Sequence, residues 1–507
     1  MSRGRGLVLP IGAAVLFAAA LARVSGFFTD DSYIHLVFAR NFARGDGFAF
    51  NPGEAVYGFT SPLWMLLLAA GHAVVPDWLA LSRTLGLLFT LLAVLATFRL
   101  ARAAGGSPAA SLAAAASLAL NAWFLRWSLS GMETSLAAFL VALGLERVLR
   151  SPSASTAGLA ILALAALARP EALLAFGLAA AWALASERRG SATPALAGVL
   201  AGGAILAAWA VWVHAGTGSW IPTAYTVKRV HAAATLSSAA HETGYLLGVV
   251  GITDALLVLA CAGTLWHFAR RRAAAGAPAS VPSRGALALL LLWPAALAAF
   301  FLIARVQFIS RYWVPVTPAL CAAAWVGAEL TFGRRARLGL GALYFGQQAA
   351  VLLFLVGPQI DAFARGLHRG PAEIGRWLHA NAASDAVVAT PDIGAIGFFG
   401  ERYVLDVGGL VTPAMAPILA RHDLPEIMRE GLYEEVGVPD YLVDRAPRAG
   451  VLADDRHELL LSSRIDNLGL SRPKPQYYSL YRVLKPGDAP PVRTAEGTYR
   501  PAQRARR

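Results

Sequence analysis

The chain alternates long apolar runs with short polar turns, and most of the runs approach or reach the length of a membrane span. A first span is expected at about residues 7–26. Others follow at about 81–101, 107–125, 133–149, 155–168, 171–186, 194–213, 245–268, 285–304, 314–331 and 338–357. That is eleven spans, or nine if the two short runs flanking Arg169-Pro170 do not cross. Pro62–Val75 is apolar but short and bounded by prolines, which predicts a helix lying in or dipping into the membrane interface. From about Pro358 the pattern changes. Pro371–Ala380 reads as a helix with Pro near its start. Asp385–Thr390, Arg402–Asp406, Tyr441–Asp444 and Tyr477–Leu484 read as strands, and Asp392 is placed to cap a short helix ending at Gly400. The expected fold is a polytopic α-helical membrane protein with about 9–11 transmembrane helices in residues 1–357, its first large loop at 27–80. A soluble α/β domain is expected at 358–490, and a basic disordered tail at 491–507.

Composition agrees with a membrane assignment. The 507 residues are 57% hydrophobic and 15% charged, where a soluble chain carries about 25% charge. The net charge of +13 raises the question of nucleic acid. The arginines answer it by clustering at the ends of apolar runs: Arg3/Arg5, Arg99/Arg102, Arg147/Arg150, Arg188/Arg189, Arg270–Arg272 and Arg334/Arg335/Arg337. These groups fall at every second boundary, as the positive-inside rule expects of cytoplasmic turns. The N-terminus is then cytoplasmic, the first loop outside, and the C-terminal domain outside after an odd number of spans. Leu7–Gly26 lacks a convincing small-x-small cleavage site directly after it, although Ala18–Ala22 resembles one, so it reads as an uncleaved anchor. Cys261 and Cys321 lie far apart in apolar runs and form no metal motif. Walker, Rossmann and G-x-S-x-G signatures are absent, which argues against nucleotide-driven chemistry.

Candidate chemistry starts with Asp30-Asp31, directly beyond the first apolar run. Two carboxylates at the edge of hydrocarbon are costly unless they have a task. Burial would raise a carboxylate towards the range a general base needs, and nearby arginine would lower it; the plainer reading is a capping acid for a helix starting at Ser32. A divalent cation is possible at Asp30 or Asp31, with no other cofactor indicated. Downstream, Arg40, Asn41, Asn51, Glu54, Tyr57 and Trp64 lie in a loop rich in Gly, Pro and Asn, where Asp46 reads as a turn residue. Arg169 is either an ion-pair partner for Glu171 or a phosphate ligand. Glu133 can complement a helix N-terminus. Lys228 is the first lysine in the chain, and Arg305, Arg311 and Tyr312 flank an outside turn against the charge rule. Each is either a phosphate anchor or an interface residue.

Several of these runs resemble a known family. Thr29-Asp30-Asp31-Ser32-Tyr33-Ile34, Phe38-Ala39-Arg40-Asn41, Phe50-Asn51-Pro52-Gly53-Glu54 and Gly58-Phe59-Thr60-Ser61-Pro62-Leu63-Trp64 resemble the first periplasmic loop of GT-C glycosyltransferases. The bacterial group around the mycobacterial terminal β-(1→2)-arabinofuranosyltransferase (AftB) is the most similar. Ser130-Gly131-Met132-Glu133-Thr134, Arg169-Pro170-Glu171, Pro222–Lys228, Arg311-Tyr312 with Pro315, and Asp392-Ile393-Gly394-Ala395-Ile396-Gly397 with Asp406 follow in the expected order. The resemblance implies an inverting transferase of the bacterial cytoplasmic (inner) membrane, working on its periplasmic face. It implies a polyprenyl-phosphate sugar donor, an envelope glycan or glycolipid acceptor, and no nucleotide or nucleic-acid partner. Asp30 would be the base and Asp31 its neighbour or metal partner. Lys228, Arg305, Arg311, Tyr312 and Arg169 would lie on the donor-phosphate side, with the first-loop residues on the acceptor side. The rival expectation is a transporter or flippase of lipid-linked sugars, which predicts ionisable residues near the middle of spans and repeat-related halves.

Overall fold

A computed structural model describes residues 3–187, 192–225, 227, 236–274, 282–304, 308–466, 474–485, 492–493 and 499–500. The chain divides into two compact units. One comprises Met1–Ser25, Thr60–Trp212 and Ala233–Pro358; the other comprises Gly26–Phe59, Val213–Ala232 and Gln359–Arg507.

The first unit is helical. Among the described residues, five helical stretches are long and apolar enough to cross a membrane: Trp78–Ala103, Thr193–Thr217, Gly285–Ala304, Ser310–Thr331 and Arg334–Asn381. Two bent pairs also qualify if each is one span, Pro108–Ala119 with Ala122–Ser128 and Ala240–Thr253 with Ala255–Arg270, bent by 57° and 89°. Shorter apolar helices are Ala14–Val24, Pro62–Gly71, Pro152–Ala168 and Ala172–Ser186. The last two meet at Arg169-Pro170.

Local chemistry explains the breaks. The Asn121 side chain caps the helix Ala122–Ser128 by accepting from the Phe124 N–H at 3.0 Å. Its amide nitrogen donates to Asp254 at 2.9 Å, at the break of the second bent pair. Gln348 accepts from the Ala122 N–H and donates to the Thr253 carbonyl. The Ala122 and Phe124 N–H groups and the Thr253 carbonyl, freed at the bends, are thus satisfied inside the protein, as a low-dielectric surround demands. Small residues permit close crossings. A Cβ on Gly144 would lie 2.6 Å from Leu162, and one on Gly158 would lie 2.9 Å from the Gly144 carbonyl oxygen.

The second unit is built on a five-stranded sheet of β1 (Val387–Thr390), β2 (Tyr403–Asp406), β3 (Tyr441–Ala446), β4 (His457–Ile465) and β5 (Gln476–Val483). The order is β2-β1-β3-β5-β4, with β1 parallel to β2 and β3, and β5 antiparallel to β3 and β4. Alternation along the strands fills two cores. Val388, Val443 and Leu480 pack with Ile374, Leu378 and Ile396 on one face. Ala389, Leu405, Leu442 and Tyr481 pack with Met415, Ile427 and Tyr433 on the other. Strand β4, in His457-Glu458-Leu459-Leu460-Leu461-Ser462, is an element the sequence pattern does not predict.

Segment 26–59 belongs to this unit. Its helix Asp30–Arg44 ends on Gly45 at φ 95°, a left-handed position suited to glycine. Beyond it, Ala49 bridges Ala55 across a turn at Asn51–Glu54. The Asn51 side chain donates to the Val404 carbonyl at 2.9 Å and accepts from its N–H at 3.0 Å, fastening the turn to β2. Tyr403 donates to the Glu54 carboxylate at 2.8 Å. The Arg40 guanidinium donates to Glu401 at 2.6 Å and to the Phe398 carbonyl at 3.1 Å.

Candidate functional site

Asp30 and Asp31 occupy the first turn of the helix Asp30–Arg44, where negative charge complements the helix dipole. Neither caps that helix. Thr29 does, its hydroxyl oxygen accepting from the Ser32 N–H at 3.3 Å. The Asp30 carboxylate reaches a different helix start, at Gly394–Gly400. Its two oxygens accept from the Gly394 N–H at 3.0 Å and the Ala395 N–H at 2.8 Å. The approach leaves no room for a side chain at 394. A Cβ there would lie 2.0 Å from the Asp30 carbonyl oxygen and 2.7 Å from its carboxyl carbon.

Asp392 therefore does not cap the short helix, contrary to the sequence reading. Ile393 precedes that helix with no side-chain cap, and the Asp392 carboxylate turns to the sheet. It accepts from Arg445 at 2.7 Å and from the Tyr478 hydroxyl at 2.7 Å. Arg445 on β3 and Tyr478 on β5 are register partners, so both side chains rise from one face of the sheet to the same carboxylate.

Burial pushes the Asp30 carboxyl up to about 7, and the negative charges of Asp392 and Asp31 add to the effect. The two backbone N–H groups oppose it without cancelling it. Asp406 is pushed up to about 6, again mainly by burial, against N–H donors from Val411 and Gly408. It organises the turn that carries Gly409 and Leu410. Burial also raises the Tyr478 hydroxyl, and Asp392 adds to it. Among the described residues, no three His, Cys, Asp or Glu side chains are grouped as a metal ion would require.

The other first-loop candidates hold that loop in shape. Asn41 donates to the Ala49 and Phe50 carbonyls, at 3.2 and 2.7 Å. The Tyr57 carbonyl accepts from the Thr223 N–H at 2.9 Å, and its ring lies edge-on to Phe59. Arg40, Asn51 and Glu54 make the ties already described.

The first unit collects a second group of candidates. Arg169 pairs with Glu133 at 2.5 Å and Glu171 at 3.3 Å, and its guanidinium lies 4.8 Å from the Tyr312 ring centre. Arg311 lies over Tyr312 and Trp127, at 5.4 and 5.8 Å. Trp127 in turn donates to Ser310 at 3.0 Å. Trp64 also lies in this unit, its indole N–H on the Gly131 carbonyl at 3.0 Å. Lys228 and Arg305 lie outside the described residues.

Arg445 and Tyr478 are not site candidates in the sequence reading, which treats Asp392 as a cap and, together with Gly394, as part of a family-like run. The signal for the latter two is the Asp-x-Gly-Ala run between two strand patterns. Nothing local marks Arg445 or Tyr478, because their relevance arises from strand pairing.

The geometry can be set beside known proteins. A model of a domain of unknown function, DUF8728, matches residues 360–499. No curated protein matches the chain. Solved structures do match. ArnT from Cupriavidus metallidurans bound to undecaprenyl phosphate is similar at a TM-score of 0.60 and 15% identity, over 94% of this chain and 98% of that one. AglB, an archaeal oligosaccharyltransferase from Archaeoglobus fulgidus in complex with an inhibitory peptide and a dolichol-phosphate, gives 0.54 and 13%, over 86% and 69%. The Archaeoglobus fulgidus oligosaccharyltransferase with zinc and sulfate gives 0.54 and 15%, over 85% and 67%. Likeness at such low identity speaks for fold alone, and the fold is the one these membrane-enzyme structures share. Among the described residues, five helical stretches, or seven if each bent pair is one span, are long and apolar enough to cross a membrane, in keeping with that fold.

Proposed function

We propose that this protein is an inverting glycosyltransferase that moves a sugar from a polyprenyl-phosphate donor to an envelope glycan or glycolipid on the extracytoplasmic face. The observation that carries the reading is Asp30, a partly buried carboxyl pushed up to about 7 and held by two backbone N–H groups, in the first loop of a GT-C fold. A base with such a value is about half ionised at neutral pH and is basic enough to draw a proton from a hydroxyl. Asp30 takes the proton of the acceptor hydroxyl, whose oxygen bonds to the anomeric carbon as that carbon's bond to phosphate breaks. Polyprenyl phosphate leaves with the electron pair, so no strong general acid is required. Arg311, Tyr312 and Arg169, the last paired with two carboxylates, are the described candidates for the donor phosphate; Lys228 and Arg305 are further candidates. The similarity to structures solved with undecaprenyl phosphate and dolichol-phosphate supports that donor class. A divalent cation at Asp30 or Asp31 belongs to the same proposal.

The test is transfer from a panel of synthetic polyprenyl-phosphate pentoses and hexoses by purified protein in nanodiscs. Wild type should release polyprenyl phosphate, and Asp30→Asn should lose at least about 100-fold in rate. Full activity in Asp30→Asn would remove Asp30 as the base.

One observation favours a transporter reading. Asp254 is buried between two helix halves, where it accepts from Asn121, Thr253 and Trp313, and ionisable residues at broken helices mark ion and substrate paths in transporters. Movement of an intact lipid-linked sugar across a vesicle bilayer, abolished by Asp254→Asn and untouched by Asp30→Asn, would favour it.

A further inference from the structure

We infer that residues 360–499, the segment matched as a domain of unknown function, act as the holder of the reactive carboxylate: Gly394 and Ala395 grip Asp30, and Asp392, Arg445 and Tyr478 fix that grip. The inference rests on the reading of Asp30 as the base. The grip is direct, with two backbone N–H groups on the two oxygens of one carboxylate, at 3.0 and 2.8 Å. Such a pair sets both the position and the plane of the carboxylate, because each oxygen is held separately. The turn that presents the N–H groups lies between β1 and β2, and Asp392 is its anchor. That carboxylate takes Arg445 from β3 and Tyr478 from β5, side chains that face each other across a strand pair. Thr390 supports the same turn, its hydroxyl oxygen accepting from the Asp392 N–H at 3.3 Å. Thr390 on β1, Arg445 on β3 and Tyr478 on β5 therefore converge on Asp392, next to the two N–H groups that hold a carboxylate 364 and 365 residues away in sequence. The closeness at Gly394 shows that the contact is built in, since any side chain there would collide with the Asp30 main chain.

On this account Gly394, Asp392, Arg445 and Tyr478 are positioning residues, acting on the reaction through Asp30. Gly394→Ala should lower kcat by about 100-fold while leaving the donor KM within about threefold, the pattern of a misplaced reacting group. Arg445→Ala should lower kcat in the same way, and Arg445→Lys, which retains the charge, should recover part of it. Folded variants with wild-type kcat, or with the loss entirely in donor KM, would overturn the inference. A second measurement needs no substrate. In a thermal double-mutant cycle, Gly394→Ala and Asp30→Asn should lower Tm less than additively, because each disturbs the same pair of hydrogen bonds. Strict additivity would overturn the grip. If wild type transfers sugar from no polyprenyl donor, the proposed function fails on its own, and the cycle alone decides whether the domain holds Asp30.

Discussion

Asp30 departs furthest from the behaviour of its free side chain in a way that activity would report. With a carboxyl near 7 in the folded protein, only its ionised form can accept a proton. The kcat/KM should rise about tenfold per pH unit below about 7 and level off above it. A profile flat between about pH 5 and 9 would exclude Asp30 as the titrating base. The same group makes a stability prediction. Its folded value lies above the ordinary aspartate value of 3.8, so the folded state holds the proton more tightly than the unfolded state. The stabilisation from that proton is fully present below about 4 and is lost as pH rises through about 7. Asp30→Asn cannot undergo that loss. The difference in Tm between the variant and wild type should therefore move in the variant's favour from about pH 4 to 7, measured by thermal unfolding in one detergent at matched ionic strength.

At the scale of elements, the helices owe their crossings and breaks to a few identifiable residues. Gly144→Leu should cost about 1–3 kcal/mol, since Leu162 and the Gly158 carbonyl already fill the space a side chain would need. The check is Tm in nanodiscs, and no change would mean that these helices repack freely. Asn121→Leu should be comparably damaging, because it leaves the Phe124 N–H uncapped and takes one donor from buried Asp254. Much at this scale was readable in advance. Apolar runs announce helices because a bilayer tolerates little else, and β1, β2, β3 and β5 lie close to their sequence-derived bounds. Strand β4 was not readable, because most of its residues are only partly buried and its polar and apolar positions do not alternate cleanly. Asp30 was readable as an acid placed where acids are expensive. Its partners were not. Asp392 looked like a helix cap by local rules, and the backbone N–H groups it would have capped are taken by a carboxylate from the far end of the chain.

At the scale of the molecule, segment 26–59 depends on a sheet made much later in sequence. Asn51 pairs with the backbone of Val404, Arg40 with Glu401 and Phe398, and Glu54 with Tyr403. Deleting the chain from 359 onward should therefore unfold segment 26–59 and not merely remove a module. Limited proteolysis of membrane-inserted protein would show new cleavage between residues 26 and 59 in the truncated chain. Protection equal to that of the full chain would mean that the loop folds alone.

The sharing of one unit by segments 26–59, 213–232 and 359–507 also has a temporal side. A ribosome adding about 5–20 residues per second needs on the order of 20–70 s to travel from residue 59 to residue 394. Throughout that interval Asp30 has been synthesised but Gly394 and Asp392 do not yet exist. A nascent chain, or one stalled before its last third, thus carries the acid without its holder. If Asp30 is the base and this domain its holder, competence arrives only when the final strands pair, and a chain stopped short of them should transfer no sugar.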